Sequence, residues 1–225
     1  MSRIYMPVAS ADQWAQFLAD PDKHWKTGYS ARTLAHSWQD ASGFPREVQR
    51  VLDGYDPFRG IDLLLALPEH KVALPGGARS SQTDVWALAR AGSDLVSLAV
   101  EGKVAEPFGP TLSEWFAESS PGKATRLEFL RAELGLPSEI AGTVRYQLLH
   151  RTASAIIEAK RFGAPHAVLL VHSFSQSHQW FEDFAAFAEL LGAQAAVDRV
   201  VPAGGSGGVH LHLAWVQGDA SYLSR

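Results

Sequence analysis

The sequence predicts an α/β fold, and three observations carry that prediction. Helical periodicities flank a group of short apolar runs. Two of those runs are joined by a glycine turn of hairpin length. Apolar residues make up 46% of the 225, enough to bury one sizeable core.

Taken in order, Ser10-Ala11-Asp12-Gln13 reads as a capping box ahead of Trp14, Phe17 and Leu18, so a short helix is expected to about Ala19, before Pro21. A second helix is expected from Ser30, with Leu34 and Trp38 four apart on one face. Gly43-Phe44-Pro45 breaks the chain, and Pro45 opens a helix over Glu47, Val48, Val51 and Leu52 that ends near Gly54. Residues 61–67 are almost wholly apolar between Gly60 and Pro68, as in a buried strand. Strands are expected at 84–90 and 95–104, joined by Ala91-Gly92-Ser93-Asp94. A helical stretch over 112–134 precedes a long helix over 143–162, which ends at Gly163. A strand at 167–171, an amphipathic helix over 179–191 closed by Gly192, a glycine-rich loop at 204–208 and a strand at 210–216 complete the chain. No internal repeat or dividing linker is visible, so residues 1–225 read as one domain.

Composition narrows the function. The absence of cysteine removes disulfides, thiolate metal sites and cysteine nucleophiles, and fits a reducing compartment, with the cytoplasm as default. No apolar run approaches a membrane span and the first ten residues carry no leader-like apolar stretch, so a soluble protein is expected. A formal net charge of −4 argues against non-specific coating of nucleic acid, and leaves room for a local basic groove.

The hairpin carries the chemistry. With Gly92-Ser93 as the turn, Ala91 faces Asp94, and counting outward sets Asp84 opposite Glu101. One face then shows Val85, Ala87 and Ala89 against Val96, Leu98 and Val100. The other shows Asp84, Glu101 and Lys103, the two carboxylates roughly 5 Å apart at their α-carbons. Paired like charges destabilise a bare sheet, and a cation between them reverses that; an oxygen-only site suits Mg²⁺ or Mn²⁺ better than Zn²⁺. The bland alternative is a solvated sheet face with a surface ion pair.

Thr83-Asp84 followed by Val100-Glu101-Gly102-Lys103 resembles the metal-site motif of the PD-(D/E)XK nuclease-like superfamily, with Thr83 where the name pattern has proline. The order of helix 45–53, three strands, helix 143–162 and strand 167–171 is similar to that superfamily's restriction-endonuclease-like αβββαβ core, a central mixed sheet flanked by helices. The resemblance spans about residues 45–173, with 1–44 and 174–225 as additions. It implies a metal-dependent nuclease acting on DNA or RNA. Asp84, Glu101 and the Gly102 carbonyl would hold Mg²⁺ or Mn²⁺, and Lys103 would orient or deprotonate the attacking water. Glu47 is the best match to the acidic residue such proteins add from the first core helix. Gln147, with Arg151 four residues on, matches the polar residue of the helix after the motif. The superfamily also holds members that have lost cleavage, so a non-cleaving interaction scaffold, or a homo-oligomer built on it, is the alternative.

Other candidates compete with core packing or ordinary surface. His210 and His212 share a strand face and would hold a transition metal if His172 or His178 supplied a third ligand. Trp25, Trp38, Trp86 and Trp115 are candidates for ligand stacking, though core packing explains most tryptophans. The segment 24–32, rich in aromatic and basic residues, would suit a nucleic-acid groove or a cap on the core. Residues 204–208 lack the lysine and the strand-to-helix setting of a phosphate loop.

Overall fold

A computed structural model describes residues 4–6 and 8–225. The elements run α1 (Pro21–His24), α2 (Ser30–Asp40), α3 (Arg46–Asp53), β1 (Asp62–Val72), β2 (Ser81–Ala91), β3 (Asp94–Lys103), α4 (Leu112–Phe116), α5 (Pro121–Leu134), α6 (Tyr146–Phe162), β4 (His166–Ser173), α7 (Phe181–Leu190), β5 (Arg199–Ser206) and β6 (Val209–Gln217). Single 3₁₀ segments at Ala11–Phe17, Asp56–Phe58 and Ala220–Ser224 fill in around them.

Among the described residues six strands form one mixed sheet in the order β1-β2-β3-β4-β6-β5. β1, β2 and β3 form an antiparallel meander; β4 runs parallel to β3 and β6 parallel to β4, while β5 returns antiparallel along β6. A parallel neighbour requires a crossover, and α6 lies within the one that joins β3 to β4. Helices cover both faces. On one, Leu148, Leu149, Ala153 and Ile156 of α6, with Phe184 and Phe187 of α7, pack on Ala99, Leu169, Val171, Leu213 and Trp215. On the other, Leu34 and Trp38 of α2 and Val48, Val51 and Leu52 of α3 pack with Val85, Ala87, Ala89, Val96, Leu98 and Val100, the apolar face expected of the hairpin. Among the described residues no helix is long and apolar enough to cross a membrane.

Four departures from the sequence-based expectations have physical causes. Ser10 makes no side-chain cap, and residues 11–17 wind as a 3₁₀ helix; Gln13, the other half of the expected box, accepts from the Ala9 N–H instead. The stretch 112–134 is two helices, because Ser120 caps a new helix with Pro121 in its first turn. β1 continues through Pro68 to Val72: it is an outer strand, where a residue without an N–H is tolerated. Residues 204–208 are not a free loop, since β5 reaches Ser206 and its glycine-rich end turns tightly into β6. β5 is the other outer strand, and Pro202, Gly204 and Gly205 mask its strand pattern.

Candidate active site

The β2–β3 register runs from Ala91↔Asp94 to Val85↔Val100, and its next step sets Asp84 beside Glu101. The β1–β2 register does the same on the other side, because Pro68↔Val85 and His70↔Thr83 bracket Glu69 against Asp84. Glu69, Asp84 and Glu101 therefore form a row of carboxylates, one per strand, across the first three strands. Glu69 is absent from the sequence-based candidates, since a strand ending at Pro68 excludes it. Its backbone has φ 52°, unusual for a residue with a side chain.

Glu101 is the hub. Lys103 Nζ donates to its Oε1 at 2.8 Å, Gln147 Nε2 donates to the same oxygen at 2.6 Å, and Arg151 Nε donates to Oε2 at 2.7 Å. Lys103 Nζ also donates to Gln147 Oε1 at 3.2 Å and lies 4.8 Å from the Phe108 ring centroid. Gln147 and Arg151, four apart on α6, face the strand together as their spacing requires. Glu101, Lys103 and Arg151 are all buried. Burial alone would raise the Glu101 carboxyl, but Lys103 and Arg151 outweigh it and hold it at about 2.

The other two carboxylates move oppositely. Asp84 accepts from Gly102 N–H at 2.8 Å, yet burial and then the Glu101 charge push it up to about 7. Glu69 accepts from Gln82 Nε2 at 2.7 Å, and burial and then Asp84 push it up to about 8. Two cations thus neutralise one member of the row, and the other two face each other short of positive charge.

The row lines a cleft of about 420 Å³ that also meets Lys103, Gln147, Arg151, His24, Ser30 and Glu106. Glu106 fixes one wall: its Oε1 accepts from Ser30 N–H, at the start of α2, at 2.8 Å, and its Oε2 accepts from Val104 N–H at 3.1 Å. His24, Ser30 and Ala31 bring part of the basic, aromatic segment 24–32 to the rim. Gly102 sits where there is little room, because a Cβ there would lie 3.1 Å from Leu34 Cδ2 and 3.5 Å from Asp84 Oδ2. Gly102→Ala is accordingly expected to lower stability by about 1–3 kcal/mol in urea melts, by pressing β3 against α2.

Glu47 does not join this cleft. It lies on α3 in a separate hollow with Asp40, Arg46, Arg50, Asp219 and Tyr222, because α3 packs near β5 and β6 rather than over the β2–β3 end. The third carboxylate at the cleft comes from Glu69 of β1 instead. Among the described residues no group of three or more His, Asp or Glu side chains is arranged to hold a metal ion.

A family model described as a domain of unknown function (DUF6946) matches residues 7–220. The chain belongs to that family. No curated protein and no solved structure matches it. The DUF6946 description assigns no activity, so function has to be argued from the side chains.

Of the remaining candidates, Trp38 and Trp86 are core residues, and Trp115 stacks on Tyr146 at 3.9 Å between centroids. The histidine near His210 and His212 is neither His172 nor His178. His172 is fully buried and accepts at Nδ1 from the Trp38 indole at 3.3 Å. The neighbour is His166, because β4 runs parallel to β6 in the register His166↔His210.

Proposed function

We propose that this protein is a divalent-metal-dependent phosphodiesterase of the PD-(D/E)XK nuclease-like type, acting on DNA or RNA. The observation that carries the reading is the meeting of Asp84, Glu101, Lys103 and Gln147 around one cleft. The element order α3-β1-β2-β3-α6-β4, with α4 and α5 inserted between β3 and α6, parallels that of the αβββαβ core.

The donor chemistry fits Mg²⁺ or Mn²⁺. Asp84 and Glu69 are adjacent hard oxygen donors, pushed up to about 7 and about 8 by burial first and by a neighbouring carboxylate second, Glu101 for Asp84 and Asp84 for Glu69. These two carboxylates, with Glu101 and the Gly102 carbonyl, would hold the ion. The ion would supply charge neutralisation at a phosphodiester and a more acidic water. Lys103 presents an ammonium beside Glu101, where it would orient the water and stabilise developing negative charge. Gln147 bridges Lys103 and Glu101 and keeps the amine from swinging away. His24 and the start of α2 would border the nucleic acid's path.

A second reading has an observation of its own. Arg151 on Glu101 occupies the oxygen that a cation would use, which favours a non-cleaving scaffold with a frozen ion-pair network.

Calorimetric titration of Mn²⁺ into wild type, Asp84→Asn and Lys103→Ala separates the two. The nuclease reading expects binding to wild type, its loss in Asp84→Asn, and its retention in Lys103→Ala. It also expects Lys103→Ala to lose cleavage of labelled DNA or RNA by at least about a hundredfold. Absence of binding in wild type selects the scaffold.

A further inference from the structure

The second concentration of chemistry lies away from the cleft, on the sheet face covered by α2 and α3. β4 and β6 pair in the register His166↔His210 and Val168↔His212, so the alternation of strands turns three imidazoles to one face. β3 meets the same β4 strand at Val96↔His166 and at Glu101↔Val171. Along the strands His166 and His210 therefore sit about 17 Å, and His212 about 10 Å, from the level of the carboxylate row.

His166 Nδ1 and His212 Nε2 are 3.1 Å apart. On the far side of His166, Nε2 is 3.8 Å from Asp94 Oδ2. His212 Nδ1 is buried with no hydrogen-bond partner. The His212 ring is packed by Phe58 at 4.8 Å and Tyr55 at 5.5 Å between centroids. His210 is exposed, its ring 5.6 Å from that of His166.

Each feature has a meaning in ligand chemistry. Nitrogens bound to one ion at about 2.1 Å lie about 3.0–3.4 Å apart, the spacing already present between His166 and His212. A carboxylate behind a ligating imidazole fixes its tautomer and orientation, which is where Asp94 stands. Aromatic walls limit ring rotation and exclude water from one side. The third donor is not yet in position, but His210 is on the exposed side and turns without disturbing the core.

We propose that His166, His210 and His212 form a binding site for a borderline divalent metal ion of the Zn²⁺, Ni²⁺ or Co²⁺ class. His166 and His212 provide the preset pair, His210 closes on the ion by rotating its ring, and water completes the shell. Nitrogen donors make this site chemically distinct from the oxygen-lined cleft, so it selects different ions.

The test uses the full chain without a histidine tag. Co²⁺ is titrated while visible absorption is recorded, and Zn²⁺ competition then reports affinity. The expected result is one equivalent of Co²⁺ with ligand-field bands that Zn²⁺ displaces. His166→Gln and His210→Gln are each expected to weaken binding at least about tenfold, with His178→Gln unchanged. His210 is exposed, so that variant tests the site even if His166→Gln or His212→Gln folds poorly. The proposal is overturned if wild type gives no bands, if the bands survive either substitution, or if Asp84→Asn removes them. Loss of Mn²⁺ binding in Asp84→Asn is a separate result, so the two sites fail or stand independently.

Discussion

Arg151→Met is expected to destabilise the fold by about 3–5 kcal/mol, read as a shift in the urea midpoint at unchanged slope. Arg151 Nε is 2.7 Å from Glu101 Oε2, and both side chains are buried, at 8% and 3% exposure. Methionine keeps much of the packed stem but leaves a buried carboxylate with Lys103 and Gln147 on one oxygen and nothing on the other. It also withdraws the positive charge that moderates Asp84 and Glu69. Adding Glu101→Gln to Arg151→Met is expected to recover part of the loss, because an uncharged amide needs no cation; purely additive effects would show that the pair is not coupled. The network leaves a signature in acid. Against burial, which would raise it, Glu101 is held at about 2, below its unfolded value, so its contribution is present above about pH 4 and lost as pH falls toward 2. In Arg151→Met that acid transition is expected to move to higher pH.

Much of this site is legible in the sequence, and the reason is local. A hairpin joined by a two-residue turn has a register fixed by its own sequence, so Asp84, Glu101 and Lys103 share a face by counting alone. Gln147 and Arg151 follow from helical periodicity once α6 crosses the same end of the sheet. What the sequence hides is non-local or depends on outer strands. Glu69 escapes it because Pro68 reads as a stop, whereas an outer strand passes through it, and only the β1–β2 pairing brings residue 69 beside residue 84. Glu47 lies elsewhere for the complementary reason: its helix forms where the sequence predicts it, but nothing in a helix states which strands it will cover. His166 escapes for a similar cause, since the parallel pairing of β4 with β6 joins segments over forty residues apart. Residues outside 45–173 contribute as well, for β6 supplies two of the three clustered histidines and residues 24–31 supply part of the cleft wall.

The carboxylates outside the ion-pair network predict a pH dependence of opposite sign. Asp84 near 7 and Glu69 near 8 lie above the usual carboxylate range, chiefly through burial and then through a neighbouring acid, Glu101 for Asp84 and Asp84 for Glu69. From about pH 4 upward the unfolded chain releases these protons while the folded chain retains them, so folding stability falls as pH rises and levels off above about pH 8. Asp84→Asn removes one charge and relieves the other, and is expected to raise stability at pH 8 by on the order of 2 kcal/mol while changing little at pH 4. In wild type, Mn²⁺ at pH 8 is expected to supply the positive charge that the departed protons no longer provide and raise the melting temperature. Asp84→Asn is stabilised already and is expected to show no further rise. That combination ties the strain to the cation site, because the energy spent holding two carboxylates together is recovered only when positive charge enters between them. If Asp84→Asn were stabilised yet kept the full Mn²⁺ effect, the row would still be a strained set of acids, but the ion would be bound elsewhere and the nuclease reading would lose its metal.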